Sequence, residues 1–140
     1  MISLRLIISL LIIILFFHAF AIINYWYWTF PWLDIPMHFF GGFLVAMVFF
    51  WLRQKTQINA NNTSILLIII SCLSFVALIG IFWEFLEFFY DVFISSKGYR
   101  GYMQLSAADT IADLFFDLIG GSTLLGICLF KSKSKKIENL

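Results

Sequence analysis

Read for polarity alone, the chain is a series of long apolar runs separated by short polar or aromatic breaks. The runs 4–23, 36–52, 64–82 and 111–130 are each close to the 20 or so residues that a helix needs to cross a hydrocarbon core. Between them lie NYWYWTFPW (24–32), QKTQINANNTS (54–64) and SSKGYRGYMQLS (95–106). The pattern predicts an all-α integral membrane protein, an up-and-down bundle of four transmembrane helices at about 4–23, 36–52, 64–90 and 108–130 with a basic tail at 131–140. With no repeat or low-complexity linker, residues 1–140 read as a single transmembrane domain. HAFA at 18–21 resembles a signal cleavage site, but the apolar run continues to Ile23, longer than a signal core, so the segment reads as a helix.

Composition agrees: 62% of residues are hydrophobic and 12% charged, too apolar a balance for a soluble globule. Cys72 and Cys128 fall inside apolar runs and read as small packed hydrophobes rather than a disulfide pair. A net charge of +1 with no basic patch away from the span ends argues against nucleic acid as a partner. Seven basic residues (Arg5, Arg53, Lys55, Lys131, Lys133, Lys135 and Lys136) flank one side and two (Lys97 and Arg100) the other. Lys and Arg in short loops stay on the cytoplasmic side, so both termini are expected inside. The aromatic run at 24–32 marks the outer interface.

The acidic residues change the picture. Counted in depth from the inner helix ends, Asp34 and Asp109 reach the outer boundary, His38 and Asp113 lie about one turn deeper, and Asp117 about two. Glu84 reaches the same boundary from the third span, with Glu87 and Asp91 just beyond. Seven of eight acids therefore collect at one end, with Glu138 alone in the tail. Asp34 and His38 are i,i+4, Glu84 and Glu87 are i,i+3 with Asp91 four later, and Asp109, Asp113 and Asp117 are i,i+4,i+8, so each set lies on one stripe of its helix. Charge within a span faces the bundle interior or a watery cavity, so the stripes are expected to meet, with Asp34 or His38, Glu84 and Asp113 within about 4–8 Å.

Apart from Arg5 at the far end of the first span, no Lys or Arg lies within a span, which leaves protonation, hydration or a bound cation to stabilise the deeper acids. Carboxylates with one imidazole suit a divalent ion such as Mg²⁺, Mn²⁺, Ca²⁺ or Zn²⁺. The blander readings are that Asp34 or Ile35 caps the second span, that Glu87 and Asp91 are solvated at a helix end, and that His18 is a packed polar side chain. Gly41, Gly42, Gly120 and Gly121 are expected to permit close helix packing.

DIPMHFFGGFL, IGIFWEFLEFFYD and DTIADLFFDLIGG, in that order, resemble the blocks of the YjdF-type family of small bacterial inner-membrane proteins and, more distantly, VanZ-like proteins. The resemblance covers roughly residues 34–126. It implies that Asp34, His38, Glu84, Glu87, Asp109, Asp113 and Asp117 occupy the family's polar positions, and it carries no established reaction.

Two functions and a structural alternative follow. The first is a metal-dependent membrane hydrolase or phosphotransferase acting on a phosphate-bearing lipid, lipid-linked or envelope substrate. In it Asp34, His38, Glu84, Asp113 and Asp117 are the metal ligands and Glu87 or Asp109 the general base. The second is a cation or proton carrier, for which the inner halves of the helices offer no polar path unless an oligomer supplies one. The third is a structural membrane protein in contact with lipids and without catalysis.

Overall fold

The computed structural model describes residues 2–56, 64–98, 101–104 and 106–138, with side chains as far as Lys131. Most of the expected inner loop (57–63), Arg100, and the side chains of Lys133, Lys135, Lys136 and Glu138 lie outside that description. Four long helices, α1 (Leu4–Ile23), α3 (Asp34–Lys55), α4 (Ile65–Phe93) and α5 (Ala107–Glu138), are joined in an up-and-down path. Each contains a segment long and apolar enough to cross a membrane. A short helix, α2 (Trp26–Thr29), and a 3₁₀ turn (Pro31–Leu33) make the first connection, and a second 3₁₀ turn (Ser95–Lys97) follows α4. We call the end of the bundle that carries these two connections the polar end.

Serine begins three of the long helices. Ser3 Oγ accepts from Leu6 N at 3.2 Å, Ser64 Oγ from Leu67 N at 3.3 Å and Ser106 Oγ from Asp109 N at 3.1 Å. Each bond satisfies one of the amides that a first helical turn leaves without a partner. At α3 the expectation is corrected: Leu33 occupies the cap position without a side-chain bond, and Asp34 is already helical. The 3₁₀ turn at Pro31–Leu33 runs straight into the helix, so no extended residue is left to cap it. Asp34 is thereby free to turn its carboxylate inward, and Pro36 sits harmlessly in the first turn.

Side chains from all four long helices form the core of the other half: Ile7, Leu44, Met47, Cys72, Val76 and Leu124. Nearer the polar end, α3 and α5 come into backbone contact. A Cβ at Gly42 would lie 1.9 Å from Asp117 O, and one at Gly120 the same distance from Phe39 O. Only glycine permits that approach, which joins the helix of Asp34 and His38 to the helix of Asp113 and Asp117. The α1 helix rests chiefly on α3.

Candidate metal centre

The α4 helix is apolar outside and polar inside over its second half. Phe82, Phe85, Leu86, Phe88 and Phe89 are exposed, whereas Gly80, Glu84, Glu87 and Asp91 are buried. That is the arrangement lipid demands, because a carboxylate facing hydrocarbon has nothing to solvate it. Opposite it, α5 buries Asp113 and Asp117, and α3 buries His38 while leaving Asp34 partly exposed.

His38 is the hub. Its Nε2 lies 3.6 Å from Asp34 Oδ1 and 3.9 Å from Asp113 Oδ1, while its Nδ1 lies 3.5 Å from Asp117 Oδ2. The first two separations are too long for hydrogen bonds. Two ligands that each stand about 2.1 Å from a shared ion lie roughly 3–4 Å apart, so these separations suit coordination better than direct contact. One ligand atom each from Asp34, His38 and Asp113 falls within 4.8 Å of the others, and the same holds for His38, Glu84 and Glu87. The two groups share the imidazole.

The remaining partners separate the acids by role. Asp117 joins neither group and faces the opposite ring nitrogen of His38. A Cβ at Gly80 would stand 2.5 Å from its Oδ2, and one at Gly41 3.6 Å from its Oδ1. Gly80 thus makes room for this carboxylate, whereas a Cβ at Gly41 would only touch it at ordinary contact distance. Asp91, expected to be solvated, is buried and spent on the backbone. It accepts from Met103 N at 2.7 Å, Gln104 N at 2.9 Å and Ser95 Oγ at 3.1 Å. Those bonds hold Gln104 so that its Nε2 donates to Glu84 Oε2 at 3.0 Å and to Thr110 Oγ1 at 3.1 Å. The other oxygen, Glu84 Oε1, is buried and has no hydrogen-bond partner among the described residues. A carboxylate oxygen enclosed in that way is costly unless a cation or proton meets it.

Glu87 is also buried rather than solvated, and its Oε1 accepts from Trp83 Nε1 at 2.8 Å. The ring of Trp83 meets the ring of His18 edge-on, and His18 Nδ1 lies 2.8 Å from the Tyr27 hydroxyl. Burial, then the carboxylates of Asp34 and Glu87, push the Tyr27 phenol above its ordinary value, which keeps it protonated. Asp109 lines a small crevice with Asp34, Tyr27 and Tyr102. Among the described residues, no Lys or Arg pairs with Asp34, Glu84, Glu87, Asp113 or Asp117.

The supporting residues Trp83, Gln104, Thr110 and Gly80 were not singled out from the sequence. Trp83 had a readable signal, its i,i+4 spacing to Glu87. Gln104 had none, since it reaches Glu84 from a loop 20 residues away.

The chain matches the family model described as "Predicted membrane protein (DUF2238)" over residues 2–134. It belongs to that family. No curated protein and no solved structure matches it.

Proposed function

For this membrane protein of the DUF2238 family we propose that the polar end binds a divalent cation and uses it on a phosphate-bearing lipid or envelope substrate, by hydrolysis or transfer. The observation that carries the reading is the set of separations around His38 Nε2, 3.6 Å to Asp34 and 3.9 Å to Asp113, in a site without a Lys or Arg partner among the described residues. Glu84 Oε1, buried and without a hydrogen-bond partner among the described residues, supports it independently.

Asp34, His38 and Asp113 hold the ion in this reading, and Glu84 completes the set. Asp117, first read as a ligand, is assigned to the Nδ1 side of His38, 3.5 Å away, where its carboxylate favours the tautomer with the proton on Nδ1 and so leaves Nε2 as a lone-pair donor; ligating histidines are commonly oriented so. A bound divalent ion would polarise a phosphoryl oxygen and lower the pKa of a coordinated water. Glu87, steered by the Trp83 N–H, or Asp109, at the crevice shared with Asp34, serves as general base.

The YjdF-type likeness fits the family membership, whereas the VanZ-like one has no counterpart in it. The excess of basic residues at the opposite end supports placing both termini in the cytoplasm and the site at the outer face of a bacterial inner membrane. A carrier would need polar groups on both sides of the hub. The buried cluster of the other half, Ile7, Leu44, Ala46, Met47, Cys72, Val76, Leu124 and Leu125, has no acid or base, which favours the enzyme reading.

Elemental analysis of detergent-purified protein, wild type against Asp113→Asn, tests the site. Stoichiometric metal in the first and its loss in the second are expected. Equal metal content in both would overturn the reading. Release of phosphate from labelled lipids, set against ion uptake into liposomes, separates enzyme from carrier.

A further inference from the structure

A cavity of about 220 Å³ runs away from the hub between α1, α3 and α4. Its polar lining is gathered at one end, where His18, Tyr27, Asp34, His38, Glu87 and Asp117 meet. Beyond them the walls are apolar: Leu11, Ile14 and Leu15 from α1, Leu44 and Val45 from α3, Val76 and Ile79 from α4. From Asp34 to Val45 along α3 is about 16 Å at 1.5 Å per residue, roughly half of a hydrocarbon core.

The cavity is open at its side. Leu11, Leu15 and Ile79 line it and yet keep 40%, 48% and 38% of their surface exposed. The α1 helix rests chiefly on α3, and below the His18–Trp83 ring contact this leaves a slot between α1 and α4. An empty void of this size would forfeit dispersion contacts on every wall, and apolar walls give water too few partners to fill it. The medium outside the slot consists of lipid chains.

We propose that this cavity seats one hydrocarbon chain of a phosphate-bearing lipid, entering between α1 and α4, with the phosphate at the His38 cluster. The inference rests on the cation reading above and names the substrate class for that site. The polar end supplies the reason for a phosphate rather than a neutral head. Without a cation the cluster is a set of acids that repels phosphate, and with one it becomes a site for an anion. Occupancy by a phospholipid should therefore depend on the metal, whereas occupancy by an uncharged lipid with the same chain should not.

The full chain in phosphatidylcholine nanodiscs can be tested with phosphatidic acid bearing a mid-chain diazirine, and with diacylglycerol bearing the same chain. Mn²⁺ binding is read separately by electron paramagnetic resonance. With phosphatidic acid, photolabelling at Leu15, Val45, Val76 or Ile79 is expected to rise several-fold in Mn²⁺ over EDTA. With diacylglycerol no such rise is expected. Val45→Trp, and Leu15→Phe should the first variant fail to fold, narrow the slot away from every proposed ligand. Each should cut the labelling several-fold while Mn²⁺ still binds. Labelling spread evenly onto lipid-facing positions such as Leu66 and Phe115, or unchanged in a folded narrowed variant with Mn²⁺ bound, overturns the chain site and leaves the cation reading standing. Absence of Mn²⁺ binding with equal labelling by both lipids overturns the cation reading and the phosphate-directed seating with it.

Discussion

Around Asp117, α3 and α5 meet backbone to backbone through Gly42 and Gly120; toward the other end they share a core of ordinary side chains, Leu44, Met47, Leu124 and Leu125 among them. The two regions answer to different physics. Lipid is as apolar as leucine, so burying Leu124 gains little transfer free energy, and that half is held mainly by dispersion and shape. At the polar end the alternative to burial is a carboxylate in hydrocarbon, so the same lipid that barely favours the apolar core strongly favours gathering the acids inside. The acids therefore dictate which faces of α3, α4 and α5 meet, and the glycines set how closely.

Gly42→Leu should break the comparison most severely. Its Cβ would stand 1.9 Å from Asp117 O, and no rotamer relieves a clash with backbone. Loss of the monodisperse folded species on size-exclusion chromatography is expected. Leu44→Ala, two residues on in the apolar core, leaves only the cavity term and should cost about 2 kcal/mol or less. A Gly42→Leu protein more stable than Leu44→Ala in detergent unfolding would reverse the comparison.

Asp113→Asn sharpens it from the polar side. The variant should lose the rise in melting temperature that Mn²⁺ gives the wild type, as mass action requires when the folded state no longer binds the ion. In EDTA it should be as stable as wild type or more so, because one uncompensated charge has gone. A thermal scan with and without metal reads both, and an unchanged Mn²⁺ shift would remove Asp113 from the ligand set.

Asp91→Asn probes a buried acid that contacts backbone instead of the hub. One oxygen becomes an NH₂ that faces a backbone N–H of Met103 or Gln104, a mismatch worth about 1–3 kcal/mol. Faster hydrogen exchange at those two amides is expected, with only a modest fall in metal affinity through the loosened Gln104. The smallest effect belongs to the apolar half's surface: Phe130→Leu, at a position 78% exposed, should shift stability by no more than about 0.5 kcal/mol.

Much of the architecture was legible without coordinates. The four spans follow from runs of the length that hydrocarbon requires, and the stripes Asp34/His38, Glu84/Glu87 and Asp113/Asp117 follow from helical periodicity. Both depend only on positions along one helix. What escaped depends on atoms brought together across helices or from loops. Asp91 looked like a solvated terminus because two of its three partners are main-chain amides 12 and 13 residues away, which carry no side-chain signature; only Ser95, four residues on, is local. Asp34 looked like a cap because nothing local announced the 3₁₀ turn before it.

By itself, then, the sequence determined that this is a four-helix membrane protein and which residues occupy each polar stripe, since periodicity and the cost of charge in lipid operate within a single helix. Only the tertiary structure decided that Asp34 and Asp113 face one nitrogen of His38 and Asp117 the other, that Glu84 keeps an oxygen unpartnered among the described residues, and that a cavity opens between α1 and α4. Periodicity gives the face a helix turns inward but not its rotation or distance relative to its neighbours. Those are set where Gly42, Gly80 and Gly120 let another helix come within reach of a missing Cβ.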